Sequence, residues 1–270
     1  MMALLGRILS MKKISIISPV FNPGKMLWRN LESVLRQDYL SVEHVVVDGG
    51  STDGSVDVLK EYERRYEEAG KKLIWISAPD RGISDAVNKA SAMSSGDLMI
   101  FFIDVFVDDH TISEIVEKFE KDNIDYTFGG LLYQENGRII RRWSGKPGNW
   151  HFGFMLATPT LCYTRSVWEK HGPYSENYIC ANDYDFQLKL LKDKSLRYQS
   201  IAKPLVIYYA GGISNNSFQA RWKWIKESQR VLKDNQVPFA TFTNCCKTGI
   251  ALCAYIFASH KKIEMEEWMK

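Results

Sequence analysis

The sequence predicts an α/β protein with a mostly parallel central sheet flanked by helices and a C-terminal helical extension. In the first half of the chain, short apolar runs rich in β-branched residues alternate with segments whose apolar residues recur every three or four positions. Repeated strand and helix units of this length imply parallel strands joined by right-handed crossovers. With 270 residues and 45% hydrophobic content, the chain can bury a sizeable core, as one large domain or a domain with a subdomain.

The first half contains four predicted strands and four predicted helices. The first apolar run is stopped by Pro19, and a glycine-rich turn follows the second. Helices are predicted where apolar residues keep helical spacing, as do Leu59, Tyr62 and Tyr66. The strands are expected at 14–18, 42–47, 73–76 and 98–103, and the helices around 27–35, 59–69, 84–93 and 111–119.

The second half is less regular. Two apolar runs at 128–132 and 139–143 flank Glu135-Asn136-Gly137, a sequence typical of a hairpin turn. An amphipathic helix is predicted from Asn182 onward, and a late strand at 205–209. These patterns divide the chain into an N-terminal extension at 1–12, a main domain at 13–236 and a C-terminal helical segment at 237–270.

Composition argues against nucleic acid as a partner. The chain has 35 Lys and Arg against 32 Asp and Glu, and a formal net charge of +3 is too balanced for that role. The basic and aromatic segment at 221–230 has helical spacing, and we expect a solvated face with Trp222 and Trp224 buried. The five cysteines form no C-x-x-C pair, which favours reduced thiols in a cytoplasmic protein.

The most informative segment is VVVDGGSTDGS at 45–55. Its β-branched run suits a strand buried on both faces, and Asp48 follows at the carboxyl end, where open α/β sheets bind ligands. The glycines permit a tight turn and a close approach to a ligand, although a plain structural turn would use the same residues. A dinucleotide-binding dehydrogenase is disfavoured, because the glycines do not have the G-x-G-x-x-G spacing.

Polar residues follow each of the four predicted strands. Since the carboxyl ends of parallel strands meet at one edge of a sheet, we expect Asn22, Asp48, Asp80 and Asp104 to gather there. Four polar side chains at one sheet edge predict a ligand site.

Three ordered motifs carry a family resemblance. PVFN at 19–22, DGGSTDG at 48–54 and DRGISDAVNK at 80–89 resemble those of family 2 glycosyltransferases of the GT-A fold, and within that family the bacterial enzymes of colanic acid, capsular and O-antigen polysaccharide synthesis. The resemblance extends over roughly 13–235. It implies transfer of a sugar from a nucleotide diphosphate donor, usually with inversion at the anomeric carbon.

The resemblance also implies which residues bind the donor. Val20 and Asn22 would line the nucleotide pocket and Asp48 would face the base, while the ribose and diphosphate would be surrounded by Asp80, Arg81, Asp85 and Asn88. Independent chemistry supports two of these roles, because a carboxylate can accept from the N–H of uracil and a guanidinium fork matches phosphate oxygens. For Asp85 and Asn88, helix capping and surface polarity are the alternative.

The resemblance implies Mg²⁺ or Mn²⁺ as a cofactor, with Asp104 as its ligand. GT-A enzymes usually follow the fourth strand with two acids around an Asp-x-Asp, but here only Asp104 stands at that position. Asp108 and Asp109 fall at the start of the next helix, where capping is the expected role. One carboxylate can suffice, because Mg²⁺ commonly keeps several waters and takes phosphate oxygens as ligands.

Asp183 is the predicted catalytic residue. An inverting transfer needs a base that removes the proton of the acceptor hydroxyl, and a carboxylate at a helix N-terminus stays ionised. In the family the acid pair before this helix is commonly Glu-Asp with the Asp as base, and here Asn182 replaces the Glu. The alternative role of Asp183 is an N-cap, and Asp185 should point elsewhere.

The C-terminal segment suggests a peripheral membrane contact. The apolar run at 250–258 lies between Lys247 and Lys261, but nine residues cannot span a bilayer, which needs about 20. Attachment to the membrane interface would suit a lipid-linked acceptor, and packing onto the main domain is the alternative. We therefore expect a cytoplasmic protein that acts at the inner face of the membrane.

Together these observations predict an inverting transferase that moves a sugar from a UDP-sugar to a saccharide or lipid-linked acceptor in cell-surface polysaccharide synthesis. The alternative is a catalytically silent protein that binds a nucleotide-sugar or assists assembly. The shortened segment around Asp104 favours that alternative.

Overall fold

The first half of the chain forms four parallel strands. The computed structural model describes residues 11–145, 147–209 and 218–258. The strands are β1 (Ile14–Val20), β2 (Val42–Asp48), β3 (Lys72–Ser77) and β4 (Leu98–Phe101). They pair in parallel in the order β3-β2-β1-β4, which confirms the predicted strands and their direction.

Helices cover both faces of this parallel half. They are α1 (Lys25–Leu35), α2 (Ser55–Glu68), α3 (Ile83–Met93) and α4 (Thr111–Lys121). Side chains alternate along each strand, so Ile16 packs with α1, α2 and α4 on one face and Ile17 packs with α3 on the other. Both residues are buried, which is the two-sided burial that an apolar β-branched run predicts.

The second half of the sheet mixes strand directions. It contains β5 (Val105–Phe106), β6 (Tyr126–Glu135), β7 (Arg138–Ser144), β8 (Cys162–Thr164) and β9 (Tyr198–Tyr209). From β4 the sheet continues through β8, β6 and β9 to β5, and β7 pairs with β6 as the predicted hairpin. Asn136 and Gly137 make its turn with φ of 49° and 80°.

The remaining helices either pack on the same face of the sheet as α3 or lie closer to the C-terminus of the chain. They are α5 (Arg165–His171), α6 (Asn182–Lys192), α7 (Phe218–Asp234) and α8 (Ala240–Ala258), and short 3₁₀ turns occur at Pro147–Phe152 and Thr158–Thr160. The start of α6 at Asn182 and the C-terminal helix agree with the sequence predictions. Residues 1–10 and 259–270, parts of the expected extension and C-terminal segment, lie outside the described residues.

The α8 helix turns polar residues inward and apolar residues outward. Thr243, Asn244 and Lys247 are buried, whereas Phe242 is 56% exposed and Leu252 is 55% exposed. The Thr243 hydroxyl donates a 2.8 Å hydrogen bond to the backbone carbonyl of His151. Hydrogen bonds of this kind, rather than apolar contacts alone, therefore hold α8 against the rest of the chain.

The α7 helix departs from the sequence prediction at one tryptophan. Trp222 is 52% exposed, so the expectation that both tryptophans are buried is wrong for this residue. The Lys226 side chain lies over the Trp222 ring, with its Nζ 5.5 Å from the ring centroid. Trp224 is only partly buried, and the Lys247 ammonium lies 3.7 Å from its ring centroid.

All five cysteines are free, and burial raises the pKa of the Cys162 thiol far above its usual value.

Among the helices within the described ranges, none is long and apolar enough to cross a membrane.

Candidate active site

The ends of three parallel strands bring Val20, Asp48 and Ser77 into one row. The register pairs Val20 with Asp48 and Asp48 with Ser77. Just beyond this row, the backbone N–H of Thr52 donates a 2.9 Å hydrogen bond to Oδ1 of Asn22. Asn22 and the glycine-rich turn are therefore held together at the sheet edge where the sequence predicted a site.

The Asp48 carboxylate organises this turn. Asp48 is fully buried and accepts hydrogen bonds from the backbone N–H of Ser51 at 3.0 Å, from the Ser51 hydroxyl and from the Ser77 hydroxyl at 2.6 Å. Three donors thus occupy most of its acceptor capacity, which is about four sites for a carboxylate. A ligand that bonds to Asp48 would use the remaining site or replace a serine.

Gly49 is the position where Asp80 approaches the turn. A Cβ atom on Gly49 would lie only 2.7 Å from Oδ2 of Asp80 and 3.3 Å from Cδ2 of Phe21. Asp80 accepts a 2.8 Å hydrogen bond from the backbone N–H of Gly82, just before α3. Asp80 and the Asp48 turn are therefore neighbours, and the phenyl ring of Phe21, 66% exposed, stands beside them.

Arg81 and Asp85 form a salt bridge at the start of α3. Nη2 of Arg81 lies 2.9 Å from Oδ1 of Asp85 and 2.9 Å from Oε1 of Glu176. The Arg81 hydrogen bond and the Lys89 ammonium hold the pKa of the Asp85 carboxyl well below its usual range. The Arg81 side chain is 72% exposed, so its guanidinium can change partners at low cost.

Both polar atoms of the Asn88 side chain form hydrogen bonds with the backbone of Tyr174. Its Nδ2 donates to the carbonyl of Tyr174 at 3.0 Å, and its Oδ1 accepts from the N–H of Tyr174 at 2.9 Å. This pair of bonds fastens α3 to the segment before α6. A contact from Asn88 to a ligand would have to replace or share one of these bonds.

Asp104 is a buried acid with an unsatisfied oxygen. It lies between β4 and β5, is 4% exposed, and its Oδ2 has no hydrogen-bond partner among the described residues. Burial raises the pKa of the Asp104 carboxyl to about 7. An orphaned buried carboxylate oxygen suits a cation better than it suits an apolar pocket.

The residues around Asp104 fit a divalent metal only with help from a ligand. Within the described part of the chain, no group of three or more His, Cys, Asp or Glu is placed to hold a metal ion. Asp108 instead accepts from the Thr111 hydroxyl at 3.0 Å at the start of α4, as expected of a capping residue. Asp109 lies 3.4 Å from Arg36. Asp104 could hold Mg²⁺ or Mn²⁺ if a diphosphate supplied further oxygens.

Asp183 lies in the first turn of α6 and is oriented by two donors. The Thr158 hydroxyl donates to its Oδ2 at 3.0 Å, and the backbone N–H of Tyr184 donates to its Oδ1 at 2.7 Å. Asp183 is only partly buried, so the residue keeps some contact with solvent. Asp185 points elsewhere, as predicted, and bonds to Asn235.

The first turns of α6 and α3 are joined directly. Nδ2 of Asn182 donates a 2.8 Å hydrogen bond to the Ser84 hydroxyl, and Ser84 donates to the backbone carbonyl of Ser175. Asn182, which replaces the family's glutamate, thus connects the predicted base to the helix that carries Asp85.

Three residues of this region were not predicted from the sequence: Thr158, which contacts Asp183, Gln187, which contacts Thr158, and Lys247, which packs on the Tyr184 ring. Nε2 of Gln187 donates to the Thr158 hydroxyl, and Gln187 stands four residues after Asp183 on the same helical face, so its spacing was a usable signal. Thr158 lies 25 residues before Asp183 and had no such signal. Lys247 resembled an ordinary lysine that flanks an apolar run.

Comparison with known proteins decides the family. The model of "Glycosyl transferase family 2" matches residues 15–172, more than half of the chain. The chain belongs to this family. It is accordingly a glycosyltransferase, and the expected GT-A fold is confirmed by the solved structures below.

Two curated relatives of this family 2 chain are bacterial enzymes. A PGL/p-HBAD biosynthesis glycosyltransferase of Mycobacterium bovis is 26% identical over 211 residues, which cover 74% of this chain and 78% of the relative. Chondroitin synthase of Escherichia coli is 27% identical over 192 residues, which cover 66% of this chain and 26% of that protein.

Two solved structures share the fold. S. aureus TarS 1–349 in complex with UDP-GlcNAc superposes with a TM-score of 0.66 at 17% identity, over 87% of this chain and 70% of that one. The mannosyltransferase PcManGT of Pyrobaculum calidifontis, in complex with GDP-Man and Mn²⁺, gives 0.61 at 15% identity, over 95% and 79%. At these identities the likeness is one of fold.

Proposed function

We propose that this family 2 glycosyltransferase transfers a hexosyl or N-acetylhexosaminyl group, with inversion, from a UDP-sugar to a saccharide or lipid-linked acceptor in cell-surface polysaccharide synthesis. The observation that carries the proposal is the placement of Asp183. It is a partly exposed carboxylate, oriented by Thr158, on a helix whose first turn is hydrogen-bonded to that of α3.

The donor would bind along the strand ends. Val20 and Asn22 would line the nucleotide pocket, and Asp48 would accept from the N–H of uracil with the acceptor site that its serine partners leave open. Asp80 and Asp85 would lie near the ribose and diphosphate. The TarS complex with UDP-GlcNAc supports a uridine donor by similarity of fold.

Arg81 and Asn88 would complete the donor site in different ways. Arg81 is exposed and holds two carboxylates, so a diphosphate could draw its guanidinium away from Glu176 into a bidentate contact. Asn88 would act mainly by fixing α3 against Tyr174, since both polar atoms of the Asn88 side chain are hydrogen-bonded to the Tyr174 backbone.

Asp183 would act as the general base. As the acceptor oxygen attacks the anomeric carbon, its proton passes to the Asp183 carboxylate while the bond from that carbon to the diphosphate oxygen breaks. The nucleoside diphosphate leaves with that electron pair, and attack from the opposite side inverts the configuration. The Thr158 hydroxyl and the backbone N–H of Tyr184 would hold the carboxylate in place to accept that proton.

A divalent cation would assist the leaving group. Asp104 and the diphosphate oxygens would hold Mg²⁺ or Mn²⁺, which would neutralise the charge that develops on the diphosphate. The Mn²⁺ complex of PcManGT supports this assignment by similarity of fold.

The exposed face of α8 would rest on an anionic lipid surface at the cytoplasmic face of the membrane. Phe242 and Leu252 are each more than half exposed, and Phe152 lies beside Phe242 with ring centroids 6.3 Å apart. Aromatic and aliphatic side chains of this kind insert into the headgroup boundary. Such a contact would bring the site close to a lipid-linked acceptor.

Incubation with a panel of nucleotide sugars tests the proposal. Transfer to an added saccharide or lipid-linked acceptor, or slow hydrolysis of one donor, is the expected result. Binding of UDP without turnover of any donor would favour the silent binder, a role that the single carboxylate at Asp104 supports. Failure to bind any nucleotide would contradict both.

A further inference from the structure

Lys247 is an ammonium buried between two aromatic rings. The residue is 6% exposed, and its Nζ lies 3.8 Å from the Tyr184 ring centroid and 3.7 Å from the Trp224 ring centroid. Its hydrogen bond is a 2.7 Å contact to the Ser228 hydroxyl. Among the residues that the structure describes, no carboxylate lies within ion-pair distance of it.

The fold brings Lys247 to this place by a close backbone approach. Gly153, at φ 79°, packs so tightly on α8 that a Cβ atom would lie 2.5 Å from the Cα of Lys247. The Thr243 hydroxyl bonds to the carbonyl of His151 one helical turn earlier. These contacts fix the face of α8 that carries the lysine.

Burial of this charge has a cost that packing alone does not explain. An ammonium that leaves water is destabilised unless it is compensated, and a methionine would fill the same space without that loss. The two ring faces and Ser228 compensate part of it. Burial still lowers the pKa of the Lys247 ammonium to about 7, while the Asp183 carboxylate raises it.

Tyr184 connects Lys247 with Asp183. The Tyr184 ring is one of the two faces that hold the ammonium, and its backbone N–H donates to Oδ1 of Asp183. The lysine thus contacts the residue that orients the carboxylate.

We infer that Lys247 is a positioning residue for Asp183: its ammonium, packed on the Tyr184 ring, holds Tyr184 and the first turn of α6 in place, and with them the carboxylate. The inference rests on the proposed function, because it assumes that Asp183 is the base. Through Lys247, the outer helix α8 would therefore contribute to the placement of the catalytic carboxylate.

Lys247→Met tests the inference in the full chain. Loss of the ammonium releases the Tyr184 ring and loosens the turn that positions the Asp183 carboxylate, so kcat for sugar transfer should fall by roughly 10- to 100-fold while KM for the donor stays nearly unchanged. UDP affinity, measured by calorimetry, should stay within about twofold of the wild-type value. Lys226→Met is the matched control, because Lys226 also lies over a tryptophan but is on the exposed side of α7, and it should leave kcat unchanged.

A double-mutant cycle separates this role from simple packing. In the Asp183→Asn background, Lys247→Met should reduce the residual rate much less than it does in the wild type. If Lys247→Met does not fold, Lys247→Gln keeps a donor for Ser228 and should also lower kcat. An unchanged kcat, or an equal loss in both backgrounds, would overturn the inference. A wild-type rate in Asp183→Asn alone would remove the base assignment itself, and the inference with it.

Discussion

Ser77 and Asp48, paired across neighbouring parallel strands, share a 2.6 Å hydrogen bond from the serine hydroxyl to Oδ2 of the buried carboxylate. Asp48 also holds Ser51, so one carboxylate ties the end of β3 to the glycine-rich turn after β2. The shape of the expected nucleotide pocket thus depends on the residue that is expected to contact the base.

Asp48→Ala should therefore weaken UDP binding and destabilise the turn together. A lost charge-assisted contact costs roughly 1 to 3 kcal/mol of binding free energy, measured by calorimetry. Ser77→Ala is the control, because it removes one donor to Asp48 but keeps the charge, and it should change UDP affinity much less. Unchanged affinity in a folded Asp48→Ala variant would remove the base-recognition role.

Asp104 should make stability depend on pH. Burial raises the pKa of its carboxyl from an ordinary value of 3.8 to about 7. Between these values the native state holds a proton that the unfolded chain has lost, so the free energy of unfolding falls as pH rises and levels off above pH 7. Over that range the free energy of unfolding changes by at most about 1.4 kcal/mol for each pH unit.

Urea unfolding of wild type and Asp104→Asn at several pH values measures this contribution. The stability of the wild type relative to the variant should fall from about pH 4 to pH 7. A pH-independent difference for Asp104→Asn would show that its carboxyl titrates normally.

Mn²⁺ should bind weakly to the free protein and well with UDP present. Asp104 is a single carboxylate, so the diphosphate must supply oxygens that the described part of the chain lacks. Calorimetric titration of Mn²⁺ with and without UDP measures the difference. Asp104→Asn should abolish the UDP-dependent binding and Asp108→Asn should not, whereas tight binding to the free protein or full activity in excess chelator would contradict the assignment.

Phe242→Asp with Leu252→Asp should reduce binding to anionic liposomes. Both side chains are exposed on α8, and a charge there opposes insertion into the interface. Point variants are better than truncation after Asn244, which would also remove the buried Lys247. Thr241→Asp on the same helix is the control in a co-sedimentation assay, and wild-type protein that does not bind anionic liposomes would contradict the membrane contact.

Local patterns predicted the parallel half of the fold because its strands are largely buried between helices and each helix has one apolar face. They also predicted the turn after Asp48, whose partner Ser51 lies in the same motif. The contacts that shape the catalytic centre are tertiary. Thr158 meets Asp183 only after β8 and α5 intervene, and Lys247 turns inward because Gly153 lets α8 approach, which no local periodicity encodes.

The central claim is that Asp183 removes the proton of the acceptor hydroxyl, and the rate of sugar transfer by Asp183→Asn tests it most directly. Asparagine keeps the size of the side chain and can still accept from Thr158, so folding and UDP affinity should change little. Transfer should slow by roughly 100- to 10,000-fold, the range for loss of a general base. Asp185→Asn, two residues away and bonded to Asn235, should slow transfer far less. If Asp183→Asn transfers sugar at the wild-type rate, Asp183 is only part of the helix N-terminus and the assignment of the base is wrong.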